Sequence, residues 1–275
     1  MKLIIFAGTP GSGKTSIIKH VVEELKKDYK LLFAKFDCLQ TDDDEIIAQK
    51  YGISTLKKLA EEICPDHYTA LELPKIINRN SDKDVIIIET AGLCLRCSPY
   101  LKESLGINVL DVTTGDPKRY GPILTQADVV AISKGDLISQ AEREIFRTKI
   151  LAVNPNANIA EINGLSGEGS LDLVKYIKES IDIKGKSLNL KHSMPSAICG
   201  YCYGNRVVSA KATYDRFVAG KEIKNKIKNT NCGICGFKTC NEFIRSVLDG
   251  KVPLEQCPRL SSDSSSCQCG DLSDE

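Results

Sequence analysis

The chain has 275 residues, enough for one large domain and a smaller one, and its 42% hydrophobic and 27% charged residues suit a globular protein with a sizeable core. Its 37 Lys+Arg against 36 Asp+Glu leave a net charge of +1, without the electrostatic footprint of a dedicated nucleic-acid binder. No apolar run approaches the roughly 18 residues that span a bilayer, and the apolar opening, residues 1–8, is too short for a signal peptide. No nucleic acid and no membrane are expected as partners, and the location expected is cytoplasmic.

In chain order, residues 2–7 read as a buried strand, 14–28 as a helix, 29–36 as a strand, 43–51 and 68–79 as helices, and 84–89 as a strand. Strands at 107–112 and 127–133, a helix at 140–152, a strand at 158–162 and a helix at 170–180 complete the series. Strands alternating with amphipathic helices predict βαβ units, an α/β fold whose mostly parallel sheet is covered by helices on both faces. Residues 184–195, rich in Lys, Ser, Gly and Asn, read as a linker, and helical patterns at 210–219 and 241–248 belong to a second module. The Ser- and Asp-rich end reads as flexible. The organisation expected is an α/β domain at 1–183, a linker segment at 184–229, a Cys-rich module at 230–260 and a tail at 261–275.

Gly8-Thr9-Pro10-Gly11-Ser12-Gly13-Lys14-Thr15 fits G-x-x-x-x-G-K-[ST] between the first strand and the first helix, the context this motif requires. Backbone N–H groups of Gly8, Gly11, Ser12, Gly13 and Ser16 would cradle phosphates, helped by the positive end of the helix. Lys14 would reach the β- and γ-phosphates, and the Thr15 hydroxyl would ligate Mg²⁺. A carboxylate at a strand end should complete the Mg²⁺ shell. Glu89, after Val85-Ile86-Ile87-Ile88, and Asp37, after the run 31–36, are the two candidates.

The apolar run 129–132 ends in Ser133-Lys134-Gly135-Asp136, similar to the N-K-x-D motif of GTPases with Ser in place of Asn. A carboxylate at Asp136 matches the N1–H and exocyclic amine of guanine, which adenine cannot do, so GTP is the expected nucleotide. Ser166, in Asn163-Gly164-Leu165-Ser166-Gly167, lies where such GTPases place their last base-contacting loop.

Together these segments resemble the nickel-insertion GTPases of hydrogenase and urease maturation, over about 180 residues. The resemblance includes residues 37–44, Asp37-Cys38-Leu39-Gln40-Thr41-Asp42-Asp43-Asp44, at the family's first switch, and Val112-Thr113-Thr114-Gly115-Asp116. It also includes Cys64-Pro65-Asp66-His67, where the family carries a Cys/His metal motif. It implies catalytic roles for Lys14, Asp37, Asp42 and Glu89, a metal site at Cys64 and His67 suited to Ni²⁺ or Zn²⁺, a GTP-dependent homodimer and a client apo-metalloenzyme. The second switch departs from the nickel enzymes: Glu89-Thr90-Ala91-Gly92-Leu93-Cys94-Leu95-Arg96-Cys97 carries a C-x-x-C, more like related metallochaperone GTPases, which adds Cys94 and Cys97 as ligands.

Cysteine is the compositional outlier, 12 residues against 3 His and no Trp. Cys232, Cys235, Cys240 and Cys257 form C-x2-C-x4-C-x16-C-P, an iron–sulfur arrangement. The alternative, a structural Zn²⁺ site, usually shows two C-x2-C pairs. The unit resembles the small [4Fe–4S] domain of the corrinoid iron–sulfur protein. Cys199 and Cys202 are read as further metal or cluster ligands, and Cys267 and Cys269 as possible companions. Cys38, His20 and His192 are read as structural.

The leading reading is a metallocentre-maturation GTPase with an attached cluster domain. The runner-up is an NTP-driven reductive activase, in which Cys94 and Cys97 bridge two protomers around a cluster and hydrolysis gates an electron to a corrinoid or other low-potential metalloenzyme. A third is a nucleotide-regulated iron–sulfur scaffold.

Overall fold

The computed structural model describes residues 1–60, 65–92, 98–183, 188–192, 207–208 and 210–260, with the backbone alone for 67, 70, 71, 207, 208 and 210–217. Two units are present, residues 1–195 with 204–214, and residues 196–203 with 215–275.

In the first unit β1 (Lys2–Ala7) leads through the glycine-rich loop into α1 (Lys14–Leu25), followed by β2 (Leu31–Asp37), α2 (Asp43–Tyr51), β3 (Ser54–Leu59), α3 (Pro65–Arg79) and β4 (Val85–Thr90). Then come β5 (Leu105–Asp111), the short α4 (Gly121–Thr125), β6 (Val129–Ser133), α5 (Gln140–Val153), β7 (Asn158–Ile162) and α6 (Ser170–Glu179). The strands form one sheet in the order β3-β2-β4-β1-β5-β6-β7. Every neighbouring pair is parallel. Unbroken Ile/Val/Leu runs suit strands buried on both faces, and the expected α/β architecture is the one the chain forms.

Within this sheet, β3 is the strand the periodicity does not predict. It lies at the sheet edge and is only half-buried beyond its first residue, so Ser54, Thr55, Lys57 and Lys58 interrupt its apolar pattern.

Alternation along the strands sends Ile4 and Phe6, Leu31 and Phe33, Val85 and Ile87, and Ile107 and Val109 to one face. There they pack with Ile17, Ile18 and Val21 of α1 and Leu173 and Ile177 of α6. The opposite face receives α3, where Tyr68 meets Phe36 edge-on with 5.9 Å between ring centroids. Each buried aliphatic side chain contributes roughly 2 kcal/mol, and a one-residue slip would turn a whole row outward, so this core sets the register.

That register has a functional consequence. Counting on by twos along the α1-facing rows reaches Gly8 after β1, Lys35 and Asp37 on β2, Glu89 on β4, Asp111 on β5 and Ser133 on β6. The core row thus ends, at the carboxyl edge of the sheet, in polar residues around one crevice, the usual place for ligands in open parallel sheets.

Residues 188–192, within the stretch expected as a linker, are fixed to the first unit. β8 (Leu188–Asn189) pairs antiparallel with β9 (Val207–Val208). Lys102 N donates to the Asn189 carbonyl at 2.8 Å, Lys191 N donates to the Tyr100 carbonyl at 2.9 Å, and the Lys191 ammonium pairs with Asp128.

After α7 (Ala210–Lys226), the second unit contains α8 (Cys240–Leu248). Its small core is Ile227, Phe243, Ile244 and Cys257, with Phe237 edge-on to Phe243 at 5.7 Å. Thr239 caps α8, its hydroxyl accepting from Glu242 N at 3.2 Å. An antiparallel bridge between Ile227 and Leu260 ties the ends of this segment together.

Candidate functional site

The phosphate loop turns through Gly13, whose φ of 88° is left-handed and available to glycine at little cost. Gly13 is also the N-cap of α1, so the first N–H groups of that helix open toward the loop. The buried Lys14 ammonium folds back and donates to the carbonyls of Gly8 at 2.9 Å and Thr9 at 3.0 Å. Burial pushes its pKa down while the charge of Glu89 pulls it up, with a net lowering.

A polar knot fills the crevice beside Lys14. The Thr15 hydroxyl donates to Glu89 Oε1 at 2.8 Å and lies 3.4 Å from Asp43 Oδ2. Lys35 stands directly across from Glu89 in the β2–β4 register. Its ammonium lies 2.6 Å from Glu89 Oε1, 3.1 Å from Asp43 Oδ2 and 3.4 Å from Thr15 Oγ1. Burial alone would lower the Lys35 pKa; Glu89 and Asp43 outweigh it and hold the ammonium above its usual range. Burial likewise works to raise Asp43, but Lys35 and Thr41 hold its carboxyl below its usual range. Asp37 Oδ1 accepts from Cys38 N at 2.8 Å.

Gly11, Gly13, Lys14, Thr15, Ser16, Asp37, Glu89 and Lys134, all expected from the sequence, line one cavity of about 550 Å³. Lys35 and Asp43 line it too; Asp43 belongs to the first-switch segment, and Lys35 is the residue that no sequence motif marks. Asp42 is exposed at the N-cap of α2 and lies outside the lining, whereas its neighbour Asp43 turns its carboxylate to Lys35. Gly8 and the buried Ser12 lie outside that lining; their carbonyls accept from Lys14 and Ser133. Asp136 and Ser166 are exposed residues outside the lining among the described residues.

On the base side, the Ser133 hydroxyl is buried and donates to the Ser12 carbonyl at 2.7 Å and the Leu110 carbonyl at 3.2 Å. Serine in place of asparagine therefore still tethers this motif to the phosphate loop. Lys134 pairs with Asp111 Oδ2 at 2.5 Å and leads into the one-turn helix Gly135–Leu137 that carries Asp136.

Beyond Glu89 the chain passes Gly92, whose φ is 66° and whose Cα presses on the Gly8 carbonyl so closely that a Cβ would overlap it. The readings for Cys64, Cys94, Cys97, Cys199 and Cys202 lie outside the described residues, as do those for Cys267 and Cys269. Of His67 the backbone, in the first turn of α3, is described. Asp66 is fully buried, and burial pushes its pKa up to about 6 against the opposing pull of Thr90 and Lys14.

In the second unit, Cys232, Cys235, Cys240 and Cys257 line one small pocket. Gly233 at φ 74° and Asn231 at φ 50° turn the backbone around it. Asn231 N donates to Cys240 Sγ at 3.3 Å, and Cys240 N donates to Asn231 Oδ1 at 2.8 Å. Cys232 carries a thiol with lowered pKa, chiefly through the Ile234 N–H. Among the described residues, no three His, Cys, Asp or Glu side chains gather closely enough to hold a single metal ion.

Residues 2–161 match the family described as CobW/HypB/UreG, nucleotide-binding domain. The chain belongs to the CobW/HypB/UreG family. Residues 229–259 match a second family, described as "Putative Fe-S cluster". An uncharacterized protein of Methanocaldococcus jannaschii is 49% identical over 216 residues, which cover 77% of this chain and 92% of that protein. The urease accessory protein UreG of Edwardsiella ictaluri is 32% identical over 205 residues, 64% of this chain and 94% of UreG. Among solved structures, HypB from Helicobacter pylori in complex with nickel superimposes with a TM-score of 0.52 at 25% identity, over 65% of this chain and 86% of that one. The first unit is thus a P-loop GTPase of the CobW/HypB/UreG family, and the chain carries an iron–sulfur type region behind it. No helix among the described residues is long and apolar enough to cross a membrane.

Proposed function

We propose that this CobW/HypB/UreG protein is a cytoplasmic metallocentre-maturation GTPase. In this reading GTP closes a homodimer, and the nucleotide state controls transfer of a transition metal, nickel or zinc by ligand chemistry, to a client apo-metalloenzyme. A [4Fe–4S] cluster on Cys232, Cys235, Cys240 and Cys257 accompanies the G domain. The UreG relative and the nickel-bound HypB neighbour support the metal-delivery reading. Four thiols lining a pocket, rather than meeting at a point, support a polynuclear cluster over a single zinc.

One contact carries the proposal: the 2.8 Å bond from the Thr15 hydroxyl to Glu89. Glu89 is followed in the sequence by Thr90-Ala91-Gly92 and then by Cys94 and Cys97. Whatever changes at Thr15 when a γ-phosphate arrives or leaves acts on the strand end that leads to those thiols. The oxygen set of Thr15, Glu89 and Asp43 fits Mg²⁺, which when bound neutralises charge on the β- and γ-phosphates. Lys14 would exchange its loop carbonyls for phosphate oxygens. Asp37, with one oxygen held by backbone N–H groups, would keep the other for the attacking water.

The test is Ni²⁺ affinity of the full chain, purified anaerobically, with GDP and with a non-hydrolysable GTP analogue. The expected result is a difference of about tenfold or more, lost on Cys64→Ser, Cys94→Ser or Cys97→Ser. Equal affinities in the two nucleotide states sink the proposal. Redox-active iron at Cys94 and Cys97 would favour the activase instead, and readily transferable iron the scaffold.

A further inference from the structure

Lys35 is an unexpected residue in its place. It sits in the middle sheet row that supplies Phe33 to the hydrophobic core, and it is only 5% exposed. A buried lysine is rare unless paired, because desolvating an ammonium without a counter-charge is costly. Here the pairing is complete: Glu89, Asp43 and the Thr15 hydroxyl all lie within 3.4 Å of the Nζ atom. These three groups are also the oxygen donors that fit the magnesium of a P-loop site.

We propose that the Lys35 ammonium is a built-in substitute for the divalent cation, occupying its seat whenever no nucleotide is bound. Three consequences follow from charge and geometry. The carboxylates of Glu89 and Asp43 stay neutralised in the empty protein, so the crevice does not splay by mutual repulsion. A free divalent ion cannot enter, because it would have to share donors with a buried positive charge about 3 Å away. Entry becomes possible only when the phosphates of a nucleotide bring enough negative charge to receive both cations, with Lys35 turning toward the phosphate loop, whose Gly11 and Gly13 line the same cavity. Occupancy by the divalent ion is thereby made conditional on the nucleotide. Lys35 is in this sense a positioning residue for the GTPase reaction, and the inference stands whether or not the metal-delivery reading does.

The location of the charge is built into the fold. Lys35 and Glu89 are direct partners in the parallel β2–β4 register, both on the α1-facing row. Thr15 is the second residue of α1, and Asp43 the first of α2, so two helix starts and two strand ends converge on the Nζ atom. Among the described residues, no other lysine reaches this set. Lys14 is committed to the Gly8 and Thr9 carbonyls.

The experiment measures binding of Mn²⁺ to the nucleotide-free full chain by electron paramagnetic resonance, since Mn²⁺ favours oxygen over thiolate donors. The wild type should bind it weakly, and GDP should tighten binding strongly. Lys35→Met removes the charge while keeping the chain length, and should strengthen nucleotide-free binding by about tenfold or more. Lys35→Arg keeps the charge and should leave Mn²⁺ excluded. Adding Glu89→Gln to Lys35→Met should abolish the gain, placing the ion in this seat rather than elsewhere. Should Lys35→Met unfold in chelator, its melting temperature is the second readout, and Mn²⁺ should restore it while barely moving the wild type. Unchanged Mn²⁺ affinity in a folded Lys35→Met overturns the proposal. So does tight nucleotide-free binding by the wild type, or failure of Mn²⁺ to rescue an unstable variant.

Discussion

The hydroxyl of Ser133 donates to the carbonyl of Ser12 at 2.7 Å, across 121 residues of sequence, and so ties the strand that ends in the base-reading motif to the phosphate loop. Both groups are buried, so neither can turn to water when the other is lost. Ser133→Ala leaves the Ser12 carbonyl without its partner and frees the loop. GDP and GTP affinity should each fall roughly fivefold, the loss expected for about 1 kcal/mol of hydrogen bond. Titration with fluorescent nucleotides checks this. An affinity unchanged for both would mean that the loop is held by its glycines and Lys14 alone.

Base choice is expected to rest on a different group. Asp136 follows Lys134 on an exposed single turn, and Lys134 is itself steadied by Asp111. Asp136→Asn exchanges an acceptor pair for a donor and an acceptor, and should move preference from GTP toward xanthosine triphosphate. Tight ATP binding by the wild type, unaffected by that substitution, would remove Asp136 from the recognition of guanine.

Much of this site is legible in the sequence, and the misses have specific causes. The loop motif identifies Thr15, and the apolar runs before Glu89 and Asp37 mark both as candidate carboxylates, because each is a sharp break from buried apolar residues to a polar group. Lys35 breaks such a run too, but lysine usually snorkels to solvent, and nothing local says that a carboxylate 54 positions away lies across from it. Its one signal is alternation: Phe33, Lys35 and Asp37 share a face, and a charged pair ending a core row implies a lined crevice. Which of the three successive aspartates lines the cavity depends only on the angle at which α2 starts, and no sequence pattern reports that angle. β3 leaves no periodic signal because an edge strand tolerates the lysines that erase it.

The Asp111–Lys134 pair sets a pH dependence whose sign can be worked out. Burial works to raise the Asp111 pKa, but Lys134 and two bonds from Thr113 outweigh it and hold the carboxyl below its ordinary value of 3.8. A carboxyl with a depressed folded-state pKa binds fewer protons than its unfolded form, so it stabilises above the unfolded value and loses that contribution as pH falls through the folded one. Asp111→Asn should therefore be less stable than wild type at about pH 6, with the gap closing toward about pH 3. Urea denaturation at the two pH values tests this. A gap of the same size at both would show that the cost is lost packing, not lost charge.

The thiol pocket of the second unit yields the remaining prediction. Cys240 is the first residue of α8 and is locked to Asn231 in both directions, accepting at sulfur from Asn231 N and donating its own N–H to the Asn231 side chain. Asn231 holds a left-handed φ of 50°, tolerable for Asn but costly for most other residues. Anaerobically purified protein should be brown and carry about four irons with matching sulfide, as four-thiolate ligation of a cubane implies. Cys240→Ser should lower iron occupancy sharply. Asn231→Gly is the sharper probe, because it keeps the backbone conformation and removes only the side-chain bond. It should retain the cluster yet shift its reduction potential and hasten iron loss to a chelator. A colourless protein with stoichiometric zinc would replace the cluster by a structural metal, and an Asn231→Gly protein indistinguishable from wild type in both readouts would leave Cys240 positioned by α8 alone.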